Sequence, residues 1–539
     1  MGFHPSRFTV FALCVLALVA GVALIALGHG DIGWTLAVIG GVFTLLGLHD
    51  LSQPHHSIQR NYPVIGHIRW MVELVRPELR QYLFESDEEA APFSRSQRSL
   101  VYRRAKGEAG EHPFGTLLDV YRSGYEFVGH SMAPVAAADP ESYRIVIGGD
   151  QCAKPYSASV FNISAMSFGS LSANAIHALN EGAKRGNFYH DTGEGSISPY
   201  HRAGGGDICW EVASGYFGCR DAEGRFDPEK FAAQATTDQV KLIEIKLSQG
   251  AKPGHGGILP AAKVTREISQ TRGVPMGQDC ISPPRHSAFS TPRQLMEFIA
   301  RLRELSGGKP VGFKLCIGHP WEFMGIVKAM LETGIRPDFI VVDGGEGSTG
   351  AAPVEFSDHL GAPMREGLLF VHNTLVGAGI RQQIRVGAAG RIVSAYDIAS
   401  VLAIGADWAN AARGFMFALG CVQSLSCNTN HCPTGVATQD PIRQRALVVP
   451  DKAERVARFH HNTLKALADM LAAAGLSHPS QVQAHHLSRR VSATEIRGFD
   501  QIHEFLKPGA LLEGVSHAPF YTRNWDLASA DSFDAKAPA

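Results

Sequence analysis

Strands that alternate with helices between about residues 137 and 480 predict an α/β protein with a parallel sheet covered on both faces. Length and the glycine-bearing strand ends favour closure of that sheet into a (β/α)8 TIM barrel over an open doubly wound sheet, a choice that periodicity alone does not make. Two uncharged runs near the N-terminus predict a two-helix transmembrane hairpin ahead of the barrel. The chain of 539 residues then divides into a hairpin (1–51), an adaptor (52–136), the barrel (137–480) and a C-terminal extension (481–539). A formal net charge of −1 gives no electrostatic case for a nucleic-acid partner. Nine cysteines without a short-repeat framework argue for a reducing compartment.

In chain order, residues 8–27 carry no charge and are long enough to cross a hydrocarbon core. GHGD follows, and residues 32–49 form a second apolar run, which makes a cleaved signal peptide the weaker reading. Arg7 before the first run, and Arg60 and Arg69 after the second, put both ends in the cytoplasm by the positive-inside rule, so the catalytic mass would hang from the inner (cytoplasmic) membrane. The opening MGFHPS fits a myristoylation pattern that a following span makes redundant. In the adaptor, RWMVELVRPELRQYLF reads as a helix, and the basic run 94–106 as a solvated surface or a lipid-facing patch. Candidate strands are 242–247, 311–316, 339–343, 384–390 and 407–412. Between them, Thr291-Pro292 opens a helix to 305, Pro320 another to 334, and Ser394 caps a third to Ile404. The last barrel helix spans 451–475, and the polar ending DSFDAKAPA is expected to be disordered.

The densest chemistry is the loop GCVQSLSCNTNHCPTG, with Cys421, Cys427 and Cys432 inside twelve residues and Pro433 directly after. Three thiolates on one loop suit an iron-sulfur cluster, since a three-iron cluster needs only three ligands. A zinc site would want a fourth ligand that His431, the neighbour of Cys432, is badly placed to give. Three buried free cysteines are the bland alternative. At consecutive strand ends, Asp343-Gly344-Gly345, Gly387-Ala388-Ala389-Gly390 and Ala412-Arg413-Gly414 let backbone N–H groups approach an anion, and a flavin phosphate is the natural guest. Gly345 to Gly350 also satisfies G-x-G-x-x-G, but no helix or ribose-binding acid follows, so no nicotinamide site is read there. Lys314 interrupts an apolar strand, where a cation needs a partner. Lys246, Gln249 and Lys252 lie within seven residues at a strand end and make an anion pocket suited to a dicarboxylate.

The cysteine loop resembles that of the glutamate synthase large subunit, and SAMSFGSLS, DTGEG, IEIKLSQGAKPG, DCISPPRHS and the Lys314 strand resemble its FMN-binding synthase domain in the same order. The match covers about 275 residues, from Ser164 to Gln439, and is to the domain. The resemblance implies the barrel, non-covalent FMN near Met166, Ser167, Lys314 and the strand-end residues named above, and a 3Fe-4S cluster on the three cysteines. It further implies that Arg272 grips the carboxylate of 2-oxoglutarate and that Glu194 stands near the substrate nitrogen. The family reads KPGEGGQLP where this chain has His255 in place of the acid and Ile258 in place of the amide.

The expected function is reductive amination of a 2-oxo acid, 2-oxoglutarate to glutamate, with external ammonia. Against the family pattern, Gly2 stands where the glutaminase cysteine would follow Met1, so no internal glutamine hydrolysis is expected, nor a β-helical or pyridine-nucleotide domain. Electrons would come from a separate donor protein through the cluster. The alternatives are an FMN oxidoreductase on a different 2-oxo or 2-hydroxy acid or imine, and a non-catalytic membrane electron-transfer subunit.

Overall fold

The computed structural model describes residues 7–89, 91–108, 110–111, 113–347, 349–514 and 518–537. The expected acylation pattern at residues 1–6, Ser348 of the glycine motif and the last two residues of the polar ending lie outside them. Contacts divide the chain into two compact units, Met1–Arg95 and Ser96–Ala539.

In the first unit, helices α1 (Thr9–Ala26) and α2 (Gly30–Ser52) are each long and apolar enough to cross a membrane. They run antiparallel with backbones in contact. A Cβ on Gly21 would overlap the main chain at Ala37, and one on Gly40 the main chain at Leu18. Small residues at such positions let two helices approach closely. After a short helix, Ser57–Asn61, comes α3 (Gly66–Leu79), which continues into a π-helical turn at Arg80–Phe84. Buried Asp50, in the last turn of α2, accepts hydrogen bonds from Val64 N (2.9 Å) and His67 Nε2 (2.8 Å) and so fixes where α3 begins.

The second unit is a closed barrel of eight parallel strands: β1 (Phe161–Ile163), β2 (His190–Asp191), β3 (Ile208–Val212), β4 (Val240–Lys246), β5 (Val311–Cys316), β6 (Phe339–Asp343), β7 (Arg385–Ala389) and β8 (Trp408–Ala411). The expected strands are β4 to β8, within two residues at their ends. β1 and β2, of three and two residues, are too short to show a period. Helix starts follow the caps: Thr291 Oγ1 accepts from Gln294 N, and Ser394 and Asp397 form a reciprocal capping box. The last long helix is Val449–Ala473.

An antiparallel hairpin, Arg144–Ile147 with Tyr156–Ser159, closes the N-terminal mouth of the barrel. Its Ile147, Tyr156 and Ala158 pack on Tyr189, Cys209, Leu242, Phe339 and Trp408. The opposite mouth, at the strand C-termini, stays available for chemistry.

Three stretches differ from expectation. The basic run forms a helix, Arg95–Lys106, with Arg98, Val101 and Ala105 buried and Tyr102 Oη donating to Cys421 O at 2.6 Å, so one face of it packs inward and it is not a wholly solvated surface. Residues 96–136, read as adaptor, belong to the barrel unit, where Glu126–Val128 pairs with Leu487–Arg490. The polar ending is tied down as far as Lys536: Arg293 Nε donates to Asp531 at 2.7 Å, and Lys536 N to Leu527 O at 2.8 Å.

Candidate active site

Strands β2 to β5 deliver a charged pocket to the open mouth. Glu194 follows β2 and Lys246 ends β4, and Lys246 Nζ donates to Glu194 Oε2 at 3.0 Å. Burial pushes the Glu194 carboxyl up, yet Lys246, Arg272 and Lys252 outweigh it and hold the group down at about 2. All four expected substrate-binding charges are therefore brought together, and Gln249 lines the same pocket with His255 and His286. Gly257 permits this close fit, since a Cβ there would overlap the Glu194 carboxylate. Arg272, the last residue of helix Arg266–Arg272, is buried behind the pocket wall against Gly169 and Gly195 and does not line the pocket itself. It donates to Phe168 O at 2.8 Å, stacks on Phe217 and has a buried Nε with no partner. Met166 and Ser167 back onto Gly193 and Gly195 on either side of Glu194.

Lys314 lies deeper, on β5, and is satisfied by acids. It pairs with Glu211 Oε2, and with Glu244 Oε1 at 3.6 Å, while Lys246 Nζ stands 3.9 Å from Glu211 Oε1. Charges of alternating sign thus run inward from the rim: Glu194, Lys246, Glu211, Lys314, Glu244. Asp191 closes the series, within 4.8 Å of Glu244 and Cys209. Burial disfavours the Lys314 charge, but Glu211, Glu244 and Asp191 hold its pKa well above the ordinary value. Burial and then Glu211 push Asp191 up to about 7, and burial and then Asp191 push Glu244 well above the carboxylate range. With Lys314 as their one close cation, the two raised acids Asp191 and Glu244 keep a proton between them near neutral pH.

At strand ends β6 to β8 the N–H groups of Gly344 and Gly345, expected to face an anion, are taken up by protein oxygens, and Gly387 has a different role. Gly387 serves packing: a Cβ there would occupy the ring of Trp408, whose Nε1 donates to Tyr189 Oη at 2.9 Å. Gly344 N donates to Ala389 O (3.2 Å) and Gly345 N to Ala362 O (2.8 Å), while the Asp343 carboxylate accepts from Gly250 N at 3.0 Å. Beside Ala389, a cavity of about 220 Å³ is lined by Glu346, Met364, Gly390, Arg391, Ile392 and Ser400. Ser400 Oγ is buried there without a partner. Arg413, preceding Gly414, donates to Glu346 O at 2.9 Å; burial, then the like charge of Arg391, bring it down to about 10. The orphaned hydroxyl and the Arg391 guanidinium suit an anionic phosphate, while the carboxylates of Glu346, Glu366 and Asp397 line the same cavity.

The cysteine loop packs against the β1 loop. Lys263, buried, donates to Ser170 O (3.3 Å), Cys427 O (2.7 Å) and Ala437 O (3.2 Å). Gln439 Nε2 donates to Gly169 O (3.0 Å) and Leu171 O (2.8 Å). Burial pushes Cys421 up to about 12 and raises Cys427, whereas the Thr434 hydroxyl and nearby N–H groups outweigh burial and lower Cys432. Among the described residues only Asp191, Cys209 and Glu244 bring three such ligand atoms within 4.8 Å of one another. The three loop thiols stand wider than one tetrahedral zinc would hold them, at about 3.8 Å between sulfurs. Three thiols on one loop are the donor type that iron-sulfur clusters take.

Sequence reasoning missed Asp191, Glu211, Glu244, Lys263, His286 and Gln439. Glu211 in ICWEV and Glu244 in LIEIK are charges inside apolar strands, the same signal that singled out Lys314. Lys263, at the end of the 3-10 turn Ala261–Lys263, and Gln439, in a loop, carry no local signal.

A parallel barrel with a cationic pocket and a carboxylate at its strand ends is the frame of an enzyme for small anionic substrates. Residues 132–477 match the conserved region in glutamate synthase, and the chain belongs to the glutamate synthase family of oxidoreductases. It is 36% identical to the glutamate synthase large subunit-like protein YerD of Bacillus subtilis, over 90% of this chain and 99% of that one. It is 34% identical to the archaeal glutamate synthase (NADPH) of Methanocaldococcus jannaschii, over 58% of this chain and 59% of that one. The archaeal-type enzyme of Thermotoga neapolitana is 33% identical, over the same shares. The chain thus spans about three-fifths of the archaeal-type enzymes, 59% in both cases.

Proposed function

We propose that this chain catalyses reductive amination of a 2-oxo acid, 2-oxoglutarate in the first instance, with ammonium supplied from outside. The reaction consumes two electrons and two protons and releases water. The observation that carries the reading is Glu194 kept ionised among Lys246, Lys252 and Arg272 at the strand ends. The three cations suit the two carboxylates of the substrate, and the Glu194 carboxylate suits the ammonium or iminium nitrogen. His286 fixes the pocket from behind, since it contacts Lys246 O (2.8 Å) and Tyr216 Oη (3.0 Å).

FMN bound beside Gly390, Arg391 and Arg413 would supply the hydride, and a 3Fe-4S cluster on Cys421, Cys427 and Cys432 would supply single electrons from a separate donor protein. What this chain adds is position and electrostatics: the acid gripped, the nitrogen held at Glu194 and a protonated carboxyl kept in the barrel. The hairpin α1–α2 would sit in the cytoplasmic membrane with the barrel on the cytoplasmic side.

A second reading rests on the pocket lip. His255 packs edge-on against Phe356, and Ile258 is half exposed, so the lip is less polar than the acid and amide of the family pattern. A less polar 2-oxo or 2-hydroxy acid or imine suits that lip. The test is enzyme reduced artificially and mixed anaerobically with ammonium and a panel of 2-oxo acids. Oxidation of the flavin with formation of glutamate supports the first reading. Oxidation by another acid alone supports the second, and a flavin that stays reduced with every acid sinks both.

A further inference from the structure

We propose that Gly66–Phe84 lies flat in the lipid–water interface, its apolar face among the acyl chains and its arginines on headgroup phosphates; this rests on the membrane reading of α1 and α2. Ile68, Met71, Val72, Val75 and Leu79 follow the i, i+3, i+4, i+7, i+11 spacing of one helix face. All five are exposed, Met71 at 66%, and Leu83 and Phe84 of the π turn add 67% and 77%. Such a run of large apolar side chains in water is unfavourable by about 25 cal/mol per Å² and calls for a cover.

Arg69, Arg76 and Arg80 repeat with the same i, i+7, i+11 spacing and make a stripe along one edge of that face, where Glu73 lies 3.7 Å from Arg76. An apolar face edged with arginines, on a helix carrying Trp70 and Tyr82, is the pattern of helices that lie in the headgroup region. Placement supports the same occupant. Asp50, at the end of α2, holds Val64 N and His67 Nε2, so α3 starts where the second apolar helix ends. A helix tethered at that level meets lipid headgroups as soon as the hairpin is inserted.

The test uses the full chain reconstituted in phosphatidylethanolamine/phosphatidylglycerol vesicles, with bromines on the acyl chains. Val75→Trp reports on the apolar face and Glu73→Trp on the polar edge, each read as fluorescence in excess of the parent. The expected result is quenching at position 75 about threefold or more above that at position 73, consistent with burial of about 5–10 Å. Equal quenching at both positions, or free access of acrylamide to position 75, overturns the proposal. So does an indole at position 75 shielded from both bromine and acrylamide, which would mean that protein covers the face. Trp34 in α2, isolated by Trp34→Phe, reports separately on the hairpin. If Trp34 is quenched and the Val75→Trp indole is not, the interfacial helix fails while the hairpin stands; if neither is quenched, the hairpin fails.

Discussion

Exchanging Lys314 for methionine would leave Glu244 and Asp191 in the barrel without their cation and Glu211 with only Lys246 at 3.9 Å. Breaking a buried pair in this way costs about 3–5 kcal/mol, so Lys314→Met should lower the melting temperature sharply, and adding Glu211→Gln should restore part of the loss. Thermal melts of both variants decide this. Arg272→Lys removes the fork-shaped donor but keeps the charge, and should raise the KM for the 2-oxo acid about tenfold to a hundredfold, from charge-assisted bonds worth about 1.5–3 kcal/mol. Acid sensitivity follows from buried histidines. Burial brings His286 down to about 4 from an ordinary 6.5, so the unfolded chain gains its proton first. The associated stability is complete above pH 6.5 and is lost as pH falls toward 4, the loss reaching about 1.4 kcal/mol at pH 5.5. His286→Gln should shrink the difference in melting temperature between pH 7 and pH 5.5. Lys314, Lys246 and Lys252 stood out in the sequence because cations in apolar or strand-end settings need partners. The partners were less visible: Glu194 stood out only by resemblance, and a carboxylate in ICWEV or LIEIK declares no direction until the strand is placed in the barrel.

At the scale of elements, the segment from Ile258 to Arg272 joins two sites. Its Lys263 holds the cysteine loop and the β1 loop by three carbonyls, and its Arg272 stands behind the charged pocket, where its charge helps keep Glu194 ionised. Lys263→Met leaves three buried carbonyls without their donor, at about 1–3 kcal/mol each. The expected outcome is loss of iron and acid-labile sulfide per chain and a weaker cluster signal in electron paramagnetic resonance, with Lys263→Arg intermediate. Cys427→Ser should leave the flavin bound and block its reduction by a protein donor, which anaerobic absorbance spectra would read. The long strands and capped helices were legible because each writes its own period and its own cap. The strands Phe161–Ile163 and His190–Asp191 were not, since two or three residues carry no period and owe their place to neighbours on either side.

For the whole molecule, closure of the eight-stranded ring was favoured by length and glycines and is realised by pairings between strands far apart in the chain, such as β8 with β1. The extent of the barrel unit was not legible: pairing of Glu126–Val128 with Leu487–Arg490 joins segments some 360 residues apart, and no local pattern announces such a partner. The contact of Gln439 with Gly169 and Leu171 has a thermodynamic corollary. The loop it grips lies against Arg272 and Gly195, so the cysteine loop and the proposed substrate site share one piece of backbone. If loading the cysteine loop favours one arrangement of that backbone and the 2-oxo acid favours the same one, each must tighten the other by an identical factor, typically about fivefold or more. Stripping iron should then weaken 2-oxo acid binding by the factor by which saturating acid strengthens iron retention. The enzyme would hold its fuel line most firmly when there is something to burn.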